Sequence, residues 1–363
     1  MAEKLIPKKS KTAKSAVDVL SEAKVQFCEL EGFQPVNLRD MRELRERYAK
    51  SCNAYYSLSA LTRRKERCSE HQESLDLLFP LRSKIEKLML RDIRTSFSTK
   101  TILREAFGGA FFGASSKQGT SIRYALASCV PTATCGGLCY AHDGRDRELN
   151  HVVRGVLNWC VGVLYEESDE MTRHNIILEM DGVISGAVSN ARKEADRAHA
   201  AGFSRVPRIR FSHVGEMAST PNFANAVAIE VRRRAPDLHC VVYTRHPNAG
   251  RLSSDSFIVN FTLESDSDSR SRFIPPLARI VGSAWDGSFI RKAEINFLEH
   301  HVEKKSTDSL SRTACPVTVS EKKVESCDDA KCVRCFVRPK LQSASGANSN
   351  SINLHGKNSI SSD

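Results

Sequence analysis

The chain lacks long apolar runs: nowhere in its 363 residues is there a stretch near the roughly 18–20 apolar residues that a membrane helix needs. Residues 1–15 carry lysines and no apolar core, unlike a secretory signal. Walker-type Gly-x4-Gly-Lys-Ser/Thr, Gly-x-Ser-x-Gly and His-Glu-x-x-His patterns are also missing from the sequence. No motif therefore supports an ATPase, an α/β-hydrolase or a zincin. From the missing apolar runs and signal we expect a cytoplasmic protein without a membrane span.

Composition is that of a soluble globular protein, with 40% hydrophobic and 27% charged residues. The net charge of +11 is compatible with a nucleic-acid partner. Residues 1–110 hold much of this excess, with 22 lysines and arginines against 15 aspartates and glutamates. We expect a disordered basic arm over 1–15 and a helical basic region over 16–110. That region is the first candidate to bind nucleic acid; the simpler interpretation is a helical cap whose charges face solvent.

The sequence pattern predicts an α/β core over residues 120–305. Apolar segments typical of strands alternate first with helical patterns and then follow one another, which indicates a largely parallel sheet, open or partly closed as a barrel. The predicted strands are 122–127, 208–212, 239–243, 257–262, 278–282 and 293–297. The predicted helices include 74–97, interrupted near Pro80, and 146–165, 172–201 and 221–234. Residues 337–363 are rich in Ser and Asn and are expected to be a disordered tail.

A first cysteine cluster, Cys129, Cys135 and Cys139, has the spacing Cys-x5-Cys-x3-Cys and follows the first predicted strand. Three thiolates on one loop can ligate three irons of a [4Fe–4S] cluster and leave the fourth iron open. A tetrahedral zinc site with His142 as the fourth ligand fits the same residues, although a position on the loop surface is the favoured expectation for His142. Thiolates suit both metals, so the spacing leaves iron and zinc open.

A second cluster lies near the end of the chain, within an expected cysteine-rich metal lobe over 306–336. Its four cysteines have the spacing Cys-x11-Cys-x4-Cys-x2-Cys. Four thiolates can close a structural zinc site or hold a complete iron–sulfur cluster. The predicted ligands are Cys315, Cys327, Cys332 and Cys335.

The two clusters together resemble the phage and plasmid "gene product 88" family. The resemblance lies in Cys139-Tyr140-Ala141 closing the first cluster, and in a second cluster running from Cys315-Pro316 to Cys335-Phe336. Gly215-Glu216 after a predicted strand, and Tyr243-Thr244-Arg245 after the next, are similar to strand ends of that family. The family more often has Gly-Asp after another Gly, where this chain has Val214. The resemblance covers about residues 120–336.

That family in turn resembles the radical S-adenosylmethionine enzymes, which implies a partial parallel barrel and an open [4Fe–4S] cluster on Cys129, Cys135 and Cys139. It also implies that Gly215 and Glu216 contact the methionine moiety of S-adenosylmethionine. The chain departs from the common Cys-x3-Cys-x2-Cys spacing. We therefore expect an iron–sulfur protein of this type or a close relative, with nucleic acid or a nucleotide as the substrate class that its charge suggests. The alternative is a zinc-stabilised, non-catalytic nucleic-acid-binding protein of a phage or plasmid.

Overall fold

The computed structural model describes residues 14–62, 70–109, 111–115, 119–142, 144–202, 205–265, 267–284, 291, 293 and 295–298. The expected C-terminal metal lobe, the expected tail and nearly all of the expected N-terminal arm lie outside these ranges. In the described part of the chain, no helix combines the length and apolar character needed to cross a membrane.

Nine α-helices lie within the described ranges, and polar side chains cap several of them. Ser15 and Asp40 accept hydrogen bonds from backbone N–H groups in the first turns of α1 and α2, which satisfies donors that a helix start leaves free. Pro80 lies inside α3, yet the helix continues through it. The helices are α1 (Ala16–Glu29), α2 (Met41–Leu61), α3 (His71–Ser96), α4 (Thr99–Gly108), α5 (Ala133–Leu138), α6 (Leu149–Glu167), α7 (Glu170–Glu179), α8 (Asp181–Ala200) and α9 (Pro221–Arg234).

A seven-stranded sheet forms the centre of the described structure, with its strands side by side in chain order. The first strand pairs antiparallel with the second, and all the following pairs are parallel. The strands are β1 (Phe112–Ser115), β2 (Gly119–Ile122), β3 (Arg208–Phe211), β4 (His239–Thr244), β5 (Phe257–Leu263), β6 (Arg279–Ala284) and β7 (Ile295–Leu298). The predicted α/β fold with a largely parallel sheet is thus confirmed.

One hydrophobic core joins the N-terminal helices to the sheet. It runs continuously from Leu20 on α1 to Val259 on β5. Helix α3 packs on α2 and α6, while α8 packs on β2 and β3 and α9 packs on β4. The basic N-terminal helices and the α/β core therefore bury side chains against each other.

Three sequence-based element predictions are wrong in detail. The interruption predicted near Pro80 is absent, because α3 continues through that residue. The strand predicted over 122–127 ends at Ile122, because the chain then turns into a short 3₁₀ turn that begins at Leu126. The single helix predicted over 172–201 is divided at Met180, whose N–H bonds to the Ile177 carbonyl in a tighter turn between α7 and α8.

Candidate metal centre

The first cysteine cluster lies on the loop that follows β2, at the carboxyl edge of the parallel sheet. Thr132 is the N-cap of α5, and its hydroxyl oxygen accepts a hydrogen bond from the Cys135 backbone N–H at 3.0 Å. Cys139 ends the same short helix, and its thiol donates a hydrogen bond to the Cys135 sulfur. Cys129 is near enough for its charge to act on Cys139. The fold thus brings all three predicted thiols of this cluster together.

These three thiols differ in acidity. The hydrogen bond from Cys139 lowers the pKa of Cys135 despite its burial, and the nearby Arg245 guanidinium lowers it further. Burial raises the pKa of Cys129 well above its ordinary value, and the Glu216 carboxylate adds to the effect. The hydrogen bond to Cys135, together with burial, raises the pKa of Cys139. Cys135 is therefore the most acidic thiol of the cluster.

Helix α3 of the N-terminal region holds the start of the cysteine loop through a buried ion pair. Arg82 and Glu86 pair one turn apart on α3, with side chains only 2% and 0% exposed. The second carboxylate oxygen of Glu86 accepts the backbone N–H of Ala127 at 2.7 Å. Burial raises the pKa of Glu86, although Arg82 and the loop N–H groups oppose this by stabilising the carboxylate. The backbone just before Cys129 is consequently fixed to α3.

His142 holds the other end of the loop. Its Nε2 lies 2.7 Å from the Gly136 carbonyl oxygen, and its Nδ1 lies 2.7 Å from the Tyr55 hydroxyl on α2. A carbonyl only accepts, so Nε2 carries the proton and Nδ1 accepts from the tyrosine. Both ring nitrogens are thus engaged, which leaves none for a metal. The placement of His142 on the loop surface is wrong, because its side chain is buried.

The predicted cofactor-binding pair, Gly215 and Glu216, lies beside the cysteine loop. Gly215 has φ +71°, and a Cβ there would lie 2.2 Å from the Ala125 carbonyl oxygen. Only glycine permits this approach. The Glu216 backbone N–H then donates to the Ser128 hydroxyl at 2.7 Å, directly next to Cys129.

The Glu216 side chain is buried and points toward the cysteines. Its Oε2 accepts a hydrogen bond from the Thr244 hydroxyl at the end of β4, at 2.6 Å. Burial raises the pKa of Glu216, although Thr244 and Arg245 favour its charged form. The arrangement offers a carboxylate oxygen, at the edge of the thiol cluster, to a cationic group.

Arg245 and Glu264 complete the centre, and neither was among the predicted site residues. Arg245 follows β4 and forms an ion pair with Glu264, which follows β5. Glu264 also accepts a hydrogen bond from the Thr132 hydroxyl at 2.6 Å. Burial disfavours the charged Arg245, but Cys135, Glu264 and other anions nearby raise its pKa above the ordinary value. A signal for both was present, since charged residues directly after parallel strands meet at one edge of the sheet.

His213, two residues after β3, interacts with Asp146. The His213 Nε2 lies 3.3 Å from Asp146 Oδ2. Arg123 donates to the other carboxylate oxygen of Asp146 at 2.5 Å. Burial disfavours the Asp146 carboxylate, but His213 and Arg123 outweigh it and lower its pKa. This cluster joins Arg123, which precedes the cysteine loop, to Asp146, which follows it.

The second predicted cluster (Cys315, Cys327, Cys332 and Cys335) lies outside the described residues. Inside them, no group of three or more His, Cys, Asp or Glu side chains is arranged to hold a metal ion. Metal binding by Cys129, Cys135 and Cys139 would require replacing the Cys135–Cys139 hydrogen bond with metal–sulfur bonds.

Comparisons with protein-family models, with curated proteins and with solved structures find no match to this chain. The interpretation of the centre therefore depends on the chemistry of its own residues.

Proposed function

We propose that the chain is an iron–sulfur protein of the radical S-adenosylmethionine type or a close relative. The observation that carries the proposal is the convergence of three loop thiols with Glu216 and Arg245 at the carboxyl edge of a parallel sheet. Parallel α/β folds bind ligands at that edge. The order of the strands, side by side in chain sequence, is also the order that a partial barrel requires.

The donor set suits an open [4Fe–4S] cluster held by Cys129, Cys135 and Cys139. Thiolates are the ligands that iron–sulfur clusters use, and a complete protein ligand set has four of them. The loop supplies three, and the neighbouring imidazole of His142 is engaged with Gly136 and Tyr55. One iron would therefore have no protein ligand from this loop and be free to bind a small molecule.

The polar residues around the thiols suit the amino-acid end of S-adenosylmethionine. Glu216 would accept hydrogen bonds from the ammonium group, because its carboxylate is already held in place by Thr244. Arg245 would stabilise the negative charge that three thiolates bring into a buried site. When bound, such a cluster supplies the electron that cleaves S-adenosylmethionine.

For the C-terminal cysteines Cys315, Cys327, Cys332 and Cys335 we propose a second iron–sulfur cluster or a structural zinc ion. Four thiolates with a terminal Cys-x2-Cys are sufficient for either. A segment with few apolar residues gains the folding free energy that it lacks from such a metal.

The rival function, a zinc-stabilised nucleic-acid-binding protein, depends on the basic N-terminal helices. Many of their described cations are already paired with carboxylates, which reduces the positive potential offered to a polyanion. These pairs include Lys24–Glu73, Lys50–Glu29, Lys84–Glu31 and Arg94–Glu167. The charge pattern of the N-terminal helices thus does not favour the rival function over the iron–sulfur one.

Metal analysis of protein purified without oxygen tests the proposal. We expect a brown protein with about four irons and matching sulfide for each cluster. Replacing Cys129, Cys135 and Cys139 together with alanine should remove one such set of irons and abolish binding of S-adenosylmethionine. Cys160→Ala is the matched control, because Cys160 is a buried thiol of α6 away from the loop.

A colourless protein with zinc and no iron, even after anaerobic reconstitution, would refute the iron–sulfur proposal. So would a triple variant that keeps all its iron, since the metal would then be bound elsewhere. Separate replacement of the four C-terminal cysteines distinguishes the two clusters.

A further inference from the structure

The two faces of the sheet differ in chemistry. Successive strand residues point to opposite faces, so the register of the parallel strands assigns each residue to a face. One face carries apolar residues that pack in the core shared with the helices, among them Phe211, Val242 and Val259. The opposite face, here called the inner face, carries Arg208, Arg210, Tyr243, Asn260 and Arg279.

Two arginines of the inner face are buried. Arg208 and Arg279 are 3% and 5% exposed, and Arg279 donates to Asn260 Oδ1 at 3.4 Å. None of the described strands contains an Asp or Glu residue. The carboxylates of the centre lie instead at the strand ends, where Glu216 and Glu264 follow β3 and β5. The described strand residues therefore give the inner face arginines and no carboxylate.

Arg210 is the arginine of this face that a ligand can reach. It is half-buried, and its guanidinium carbon lies 4.7 Å from the centre of the Tyr243 ring. Within the described ranges, its Nε is buried without a hydrogen-bond partner. Stacking on an aromatic ring orients a guanidinium group. The N–H groups at its edge can then donate hydrogen bonds to a planar anion such as carboxylate or a tetrahedral anion such as phosphate.

The position of this pair connects it to the proposed metal centre. Tyr243 lies on β4 just before Thr244 and Arg245, which contact Glu216 and Glu264. Arg210 lies opposite Ser121 of β2, the strand that leads into the cysteine loop. A molecule anchored at Arg210 would therefore extend toward the thiols along the inner face.

We infer that the inner face binds the phosphate of a nucleotide-containing substrate, with Arg210 as its main anchor. Guanidinium groups form strong charge-assisted hydrogen bonds with phosphate oxygens, and an aromatic side chain beside such an anchor is typical of sites that bind nucleotide bases. The inference takes the proposed metal centre as the place of reaction. Phosphate binding itself needs only residues of the sheet.

Two fluorescent probes test the inference on the full chain purified without oxygen: labelled ATP and a short labelled single-stranded oligonucleotide. We expect one of them to bind and Arg210→Gln to weaken that binding about tenfold or more, as expected for losing a charge-assisted contact. Arg210→Lys should retain part of the affinity. Arg233→Gln, on the exposed side of α9, should retain all of it. Binding of ATP identifies a free nucleotide, and binding of the oligonucleotide alone identifies a nucleic-acid strand.

The inference is overturned if neither probe binds the unmodified protein, or if Arg210→Gln and Arg233→Gln weaken binding equally. Circular dichroism of each variant verifies that it is folded, and Arg210→Lys provides a charge-conserving comparison if Arg210→Gln unfolds. Iron is measured in the same samples. Protein without iron that binds a probe through Arg210 supports this inference and refutes the metal proposal. Iron-loaded protein that binds neither probe supports the metal proposal and refutes this inference.

Discussion

Replacing Gly215 with alanine adds a single methyl group, which should disturb the cysteine loop more than the rest of the fold. A Cβ at residue 215 would lie 2.2 Å from the Ala125 carbonyl oxygen and 2.7 Å from the Tyr124 Cβ. These atoms belong to the segment that leads to Cys129, so this segment must shift. The shift would also displace Glu216, whose N–H is bonded to Ser128.

The cost of Gly215→Ala has two parts. The left-handed conformation, at φ +71°, costs an alanine about 1–2 kcal/mol. Forcing a methyl group into a filled site adds about 1–3 kcal/mol. Gly202→Ala is the matched control, because Gly202 has φ +78° and nothing within 4 Å of the position its Cβ would take. Gly202→Ala should lose only the free energy of unfolding that the left-handed conformation costs an alanine.

The assay measures the free energy of unfolding by urea titration and the iron content of both variants, prepared without oxygen. We expect Gly215→Ala to be the less stable variant by about 1–3 kcal/mol and to have lost most of its iron. Gly202→Ala should keep its iron. Equal stability of the two variants, together with normal iron in Gly215→Ala, would refute the contact between Gly215 and the cysteine loop.

Two further predictions concern the support and the reactivity of the loop. Glu86→Gln should lower the free energy of unfolding by about 3–5 kcal/mol, because it leaves Arg82 buried without its partner. Glu31→Gln, at an exposed ion pair, should lower it by less than about 1 kcal/mol, and urea titration compares the two. Iodoacetamide labelling of metal-free protein, followed by mass spectrometry, should modify Cys135 before Cys129, since the pKa is lowered at Cys135 and raised at Cys129.

A specific experimental result would contradict each of these two predictions. If the two glutamine variants unfold at the same urea concentration, the buried pair does not hold the loop. If Cys129 is labelled before Cys135, the opposite pKa shifts of these two thiols are wrong. If Cys139 is labelled before Cys135, the hydrogen bond between them has the other direction. Labelling that is unchanged after iron loading would show that the metal is bound elsewhere.

Local patterns predicted most of the regular structure of the core. The helix at 221–234 begins with Pro221, and the strands near 239–243 and 257–262 are short, largely apolar runs between polar turns. The strand near 208–212 alternates arginines with apolar residues. Such signals act over a few neighbouring residues and are visible in one sequence. The strand predicted over 122–127 ends at Ile122, because the chain then turns into the 3₁₀ turn that begins at Leu126.

The cysteine spacing indicated which residues to examine, and the resemblance added Gly215 and Glu216. Neither indicated that helices α2 and α3 hold the cysteine loop. That support comes from Glu86 and Tyr55, which lie far from the cysteines along the chain and close to them in space. In the sequence, a buried glutamate on a helix is indistinguishable from one that faces solvent.

The sequence by itself determined the α/β class, the parallel strands and the grouping of the first three cysteines on one loop. It did so because helix and strand periodicity, and ligands spaced a few residues apart, are local properties of a chain. Only the tertiary structure decided that Arg245 and Glu264 join those thiols, that His142 is engaged elsewhere, and that arginines line one face of the sheet. Each of these depends on which strand ends and faces meet, and the packing of distant segments determines that.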